Sequence, residues 1–179
     1  MERIIQDLQE DLESIIKGGK PRVLRKRAGD LIDLRVLRMI DFSLQWASVG
    51  YQSALRFAGM KFGRRLGEMS SSRELSLILE EIKRIVEGLK EGEVEFKILD
   101  KENTAQFKVY NSALTSSVPN ISKNLCFFEE GFIEGYLQGV ISLRGFFLAH
   151  FKNIRKVEVK ETKCQGKGDK FCQFTIILK

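Results

Sequence analysis

Apolar residues change their spacing at Gly92, and that change restricts the folds open to the chain more than any other feature of it. Before Gly92, in SSSRELSLILEEIKRIVEGLK, the residues Leu75, Ile78, Leu79, Ile82, Val86 and Leu89 recur every three or four positions. The spacing predicts an amphipathic helix, and Ser71 with Glu74 stands at capping-box spacing at its start. After Gly92 the period drops to two. Val94, Phe96 and Ile98 alternate, the polar LDKENT intervenes, and Phe107 and Val109 resume, as in a β-hairpin. The order then repeats: a helical run, LCFFEEGFIEGYLQGVISLRGFF, begins after Asn124 as its candidate N-cap, and residues 156–163 and 170–178 alternate as two strands around a short loop. Hairpins pair antiparallel and need one face covered, so the expected fold class is α+β, an antiparallel β-sheet packed against several α-helices.

Upstream, Ile5, Leu8, Leu12, Ile15 and Ile16 form one helical stripe that Gly18-Gly19 stops. Residues 34–66 are also helical in pattern, with a break near Val49-Gly50 and apolar positions at Leu37, Leu44, Trp46, Leu55 and Phe57. The polar NSALTSSVPNIS, residues 111–122, is a connection that lies over the surface or acts as a lid. At 179 residues the chain is expected to form a single domain over 1–179, with residues 1–33 as an N-terminal helix and connection.

Thirty Lys and Arg against 24 Asp and Glu leave a net charge of +6. The basic residues gather at KPRVLRKR, residues 20–27, and at Lys152, Arg155, Lys156, Lys160 and Lys163. No helix-turn-helix or RNA-binding signature accompanies them, so they read as solvated faces and nucleic acid is not the expected partner. The N-terminal segment lacks the basic and apolar blocks of a signal peptide, and no apolar run reaches spanning length. A cytoplasmic protein without a membrane span is therefore expected, in which cysteines stay thiols or bind metal.

The chain has three cysteines. Strand parity puts Cys172 on one face with Phe174, Ile176 and Leu178, and Glu161 with Val157 and Val159, so a carboxylate points inward beside a cysteine pair. A buried carboxylate needs a compensating cation, from lysine or from a metal. Gly166 and Gly168 let the loop between Cys164 and Cys172 fold the two sulfurs together. Cys126 is the remaining cysteine, at a helix start where the dipole favours a thiolate. Cys126, Glu161, Cys164 and Cys172 would complete a closed, structural tetrahedral zinc site. The alternative is three ordinary core thiols, because the spacing is not the double CxxC pattern.

CFFEEGFIEGYLQG followed by EVKETKCQGKGDKFCQF resembles the 4-vinyl reductase domain family, whose members also occur in aromatic-sensing bacterial activators and whose fold is similar to that of transport-particle vesicle-tethering subunits. The resemblance covers residues 34–179, and LRVLRMIDFSLQWASVGYQSALRFAGMKFGRRLGE looks like the family's first helical half, with Gly59 and Gly63 at usual glycine positions. It implies a structural zinc held at Cys126, Glu161, Cys164 and Cys172. The segment between Cys126 and Glu161 is longer here than in the family.

Along the Cys126 helix, Gly131, Gly135 and Gly139 make a trough beside Phe128, Phe132 and Tyr136. Either another element packs closely there, or the trough, with Trp46, leaves room for an apolar ligand. The resemblance implies a sensor of a hydrophobic small molecule that signals through a homodimer or a regulatory partner protein. Its alternatives are a dimerising scaffold and, less favoured, a vinyl-group reductase or its accessory. Reduction needs an electron source, and the chain carries neither a GxGxxG fingerprint nor an iron–sulfur cysteine run; its one histidine, His150, reads as an ordinary residue.

Overall fold

The computed structural model describes residues 10–20, 31–47, 50–72, 74–99, 103–144, 154 and 156–179, without the side chains of residues 46, 47, 143 and 144. Ile5, Leu8, most of the 20–27 basic cluster, His150, Lys152, Arg155 and the Trp46 side chain lie outside the described residues. Helix α1 covers residues 10–16, followed by α2 (Leu34–Ala47), α3 (Tyr51–Met69), α4 (Leu75–Gly88) and α5 (Phe127–Arg144). Strands β1 (Glu93–Leu99), β2 (Thr104–Tyr110), β3 (Val157–Lys163) and β4 (Cys172–Leu178) form the antiparallel sheet expected, in the order β1-β2-β4-β3. The two hairpins meet where β2 pairs with β4.

The register stacks the buried face in rows. Phe96, Phe107, Phe174 and Glu161 stand side by side across the four strands, with Ile98, Ala105, Ile176 and Val159 on one side of them and Val94, Val109 and Cys172 on the other. Helices α4 and α5 cover these rows with Ile78, Leu79, Ile82, Ile85, Ile133, Tyr136 and Leu137, all essentially buried.

Helix α5 is held from its far side by α3, the most extensive contact between any two elements described. The contact is made of backbone. Gly131, Gly135 and Gly139 lie against the carbonyls of Arg56, Met60 and Arg64, while Gly59, Gly63 and Gly67 lie against those of Phe128, Phe132 and Tyr136. A Cβ at any of the six would stand far inside van der Waals distance of a carbonyl oxygen. The numbers rise together along both helices, so α3 and α5 run parallel, close enough for Cα–H···O contacts.

This contact corrects the apolar reading of the first helical half. α3 buries Gly59, Gly63, Leu66 and Gly67, so Phe57 is turned outward at 56% exposure and Leu44 on α2 at 43%. Hydrophobic counting picks the wrong face when the buried stripe is glycine. Two start signals also fail. Helix α4 starts after Glu74 with no side-chain cap; on either side of Ser71, Ser70 Oγ donates to Glu81 Oε2 and Ser72 Oγ to Glu81 Oε1 (2.6 Å each), and Oε2 also accepts from the Tyr136 hydroxyl (2.9 Å). Asn124 does not cap α5: its Nδ2 donates to the Glu161 carbonyl (3.3 Å), and the first helical N–H accepted is that of Glu130, by Cys126.

Both sheet edges are met by glutamates. On β1 the Val94 N–H donates to Glu87 Oε1 (2.9 Å). On β3 the N–H groups of Val159 and Glu161 donate to Glu134 Oε2 (3.3 Å) and Glu130 Oε2 (2.8 Å), and Arg56 bridges both carboxylates at 2.6 Å. Of the second basic group, Lys156 pairs with Glu158 and Lys163 lies over the Phe171 ring.

Gly135→Ala is expected to cost roughly 3 kcal/mol or more, since the methyl meets backbone that cannot turn away. Gly50→Ala, with φ −89° and no atom within 4 Å of the new methyl, should cost about 1 kcal/mol or less. Chemical denaturation of both variants checks the contrast.

Candidate metal centre and the adjoining cavity

On a regular strand, residues three apart face opposite ways, so Glu161 and Cys164 should not converge. A β-bulge reverses this. Glu161 pairs with Phe174 but Lys163 pairs with Gln173, leaving Thr162 as the extra residue. Thr162 and Lys163 are both exposed, Glu161 is buried, and Cys164 returns to the buried side with no exposure. Past the bulge, Asp169 Oδ2 accepts the Cys164 N–H (2.9 Å) and Gly168 takes φ +88°, a left-handed turn that aims the chain back into β4 and Cys172.

The third cysteine arrives on the segment leading into α5. The Ile121 N–H donates to the Gly166 carbonyl (2.9 Å), and the Cys126 N–H donates to Glu161 Oε2 (3.3 Å). The ligand-type atoms of Cys126, Glu161, Cys164 and Cys172 then lie within 4.8 Å of one another, all buried, and could hold a metal ion. The Cys126 and Cys172 sulfurs are 3.3 Å apart, and no disulfide joins any of the three cysteines. Thr115 Oγ1 touches the Cys172 sulfur at 3.3 Å.

Without a cation these acids cannot all ionise. Hydrogen bonds from Cys126 and then Cys164 hold Cys172 down at about 4, the thiolate of the group. Its thiol partners, Cys164 first, and burial push Cys126 well above the ordinary thiol range when no cation is there to take up the charge. Burial, then the charge of Cys164, lifts Glu161 to about 8. Glu161 Oε1 is shut off from solvent without a hydrogen-bond partner. A dication among three sulfurs and that oxygen would satisfy every one of these groups.

The glycine trough lies elsewhere than the ligand reading places it. Gly131, Gly135 and Gly139 are filled by α3, as the close-packing alternative has it, and no room for a ligand remains on that face. Phe128 stacks on Phe132 and both meet Phe62 of α3; Tyr136 is buried on Glu81. A cavity does open on the sheet side of α5. Val86, Phe107, Val109, Phe132, Ile133 and Phe174 wall it, together with Cys126, Cys172, Ser112, Glu91 and Glu129, and its volume of about 10 Å³ is the room of one water. Among the described side chains of the sequence-predicted pocket residues, Phe132 alone lines it. Glu91 and Glu129 escape sequence reasoning because each looks like one more charge beside a helix end.

Burial, and next the charge of Glu91, pushes the Glu129 carboxyl up to about 8; burial raises Glu91 as well. No protein-family profile matches the chain. An uncharacterized protein of Methanocaldococcus jannaschii is 27% identical over 175 residues, 98% of this chain and 91% of that protein. The fold is that of an α+β class that includes vesicle-tethering subunits and small-molecule-sensing domains. Within it, the chain is similar to a vinyl-4-reductase family protein of Methanocaldococcus jannaschii, with TM-score 0.59 at 18% identity over 100% of this chain and 97% of that one. It is also similar to the phenol-responsive sensory domain of the transcription activator PoxR, solved with phenol (TM-score 0.61, 13% identity, 96% and 90% covered). A third likeness is to trafficking protein particle complex subunit 3 from Naegleria fowleri, covalently bound to palmitic acid (TM-score 0.57, 21% identity, 82% and 95% covered).

Between pH 4.5, the ordinary value for glutamate, and about 8, folded Glu129 keeps a proton that the unfolded chain has released. Rising pH across that window therefore favours unfolding. Wild type should lose melting temperature relative to Glu129→Gln as pH rises from 5 to 8, about one turn of helix away from the cysteines; parallel melting curves across that range check it.

Proposed function

We propose that the chain is a zinc-stabilised, sensor-type domain for a hydrophobic small molecule, a cytoplasmic protein that works as a single domain through a homodimer or a partner protein. The observation that carries this reading is the apolar cavity whose wall includes Cys126 and Cys172. The same two segments that would close around a metal also shape the space for a ligand, so the metal fixes the wall of the pocket. Three thiolates and a carboxylate are a soft-leaning donor set that suits zinc over magnesium or calcium. Four protein donors leave no open position, which makes the metal structural and ties its binding to folding. The phenol and the palmitic acid held by two proteins of the same fold support a ligand in this one.

A dimerising scaffold is the second reading. It is favoured by the large apolar side chains that α2 and α3 leave exposed, Met39, Ile40 and Phe57 among them. No helix among the described residues is long and apolar enough to cross a membrane.

Elemental analysis of the untagged protein should find about one zinc per chain, lost in Cys172→Ala together with several kcal/mol of stability, on the order of that of a structural zinc site. Native mass spectrometry of the wild type should add the mass of a retained small molecule to that of the zinc. Wild type without zinc returns the cysteines to the core. A dimer by light scattering that never takes up an apolar ligand favours the scaffold.

A further inference from the structure

The cavity holds two carboxyl groups for which the zinc site has no use. Glu91 lies in the turn after α4 and Glu129 in the first turn of α5; both line the cavity, and each has an Oε2 closed off from solvent with no hydrogen-bond partner. The rest of the wall is aromatic or aliphatic apart from Ser112 and the two sulfurs. The charged groups that act on Glu129 are Glu91, Glu161 and Asp41, all of them acidic. Burying an unpaired carboxyl is costly, and glutamine or leucine would serve a purely structural wall better at both positions.

We propose that the cavity takes an apolar molecule bearing a protonated amine, its ammonium held by Glu91 and Glu129 and its apolar part set among Phe107, Phe132 and Phe174. This rests on the small-molecule reading above and gives that ligand its polarity. An ammonium offers three donors to the two unpartnered oxygens and neutralises them, and the charge-assisted bonds gain strength from the dry wall. A carboxylate or phosphate head would instead add one more negative group to a space on which Glu91, Glu161 and Asp41 already act. Since the space has room for about one water, the ligand enters by moving the wall. Glu91 and Ser112 are wall residues on connecting segments, next to Lys90 (φ 63°) and Asn111 (φ 51°).

The test is calorimetric titration of the zinc-loaded full chain at pH 7 with three probes matched in size, 2-phenylethylamine, 2-phenylethanol and 3-phenylpropionate, and with their hexyl counterparts. The amine is expected to bind about tenfold or more tightly than the alcohol, and the carboxylate more weakly than either. In the double variant Glu91→Gln, Glu129→Gln the amine should lose its advantage while the alcohol binds as before. Both substitutions replace a carboxyl whose buried oxygen has no partner by a neutral amide of the same shape, so the variant is expected to fold, and its melting curve verifies that. Equal binding of amine and alcohol, or preference for the carboxylate, overturns the assignment of charge and leaves a small-molecule pocket standing. Binding of none of the probes overturns the pocket and this inference together.

Discussion

Six glycines that let two helices touch backbone to backbone carry the rest of the architecture. Because Gly59, Gly63 and Gly67 meet α5 and Gly131, Gly135 and Gly139 meet α3, the two helices are fixed in both spacing and register. That register brings Arg56 to Glu130 and Glu134, and these carboxylates in turn accept the N–H groups of β3. It also determines where α5 begins, and so where Cys126 stands relative to Glu161. Wider helix spacing, with ordinary side chains between, would carry the N-terminal end of α5 away from the bulge.

Much of this was legible in the chain. Alternation at Val94, Phe96 and Ile98 and again from Cys172 to Leu178 marked the strands, and parity placed Glu161 beside Cys172 on the buried side. What escaped has physical reasons. Glycine contributes nothing to a hydrophobic pattern, so the buried face of α3 was invisible, and apolar positions such as Phe57 and Leu44 did not mark it. The bulge at Thr162 depends on pairing with a partner strand, which local alternation cannot reveal. Asn124 offered a start signal that a tertiary hydrogen bond to Glu161 outbid, and the Ser71 signal falls between two serines that bind Glu81 instead. The four residues of the cluster do converge, while the trough, open in the sequence to either a packed element or a ligand, holds a helix, and a cavity lies on the opposite face of α5.

The interior on that face is crowded with acids. Cys126, Cys164, Cys172 and Glu161 share one end, Glu91 and Glu129 the neighbouring space, and the raised values of Glu129 and Glu161 report the mutual repulsion and dryness of the region. Such a region is stable with its protons on or with cations in. It is electrostatically unfinished by protein atoms alone, which distinguishes it from the Glu81 site, where two serine hydroxyls and a tyrosine complete the carboxylate within the chain.

The glutamates along the sheet margins have a further consequence. An open four-stranded sheet offers two rows of unpaired amides, the usual template for runaway strand-on-strand aggregation. Here Glu87 takes an amide on one margin, and Glu130 and Glu134 take two on the other, with negative charge standing in for a fifth strand. Another chain could add itself to β3 only by displacing carboxylates that Arg56 holds. The charged margin thus works against strand addition at β3.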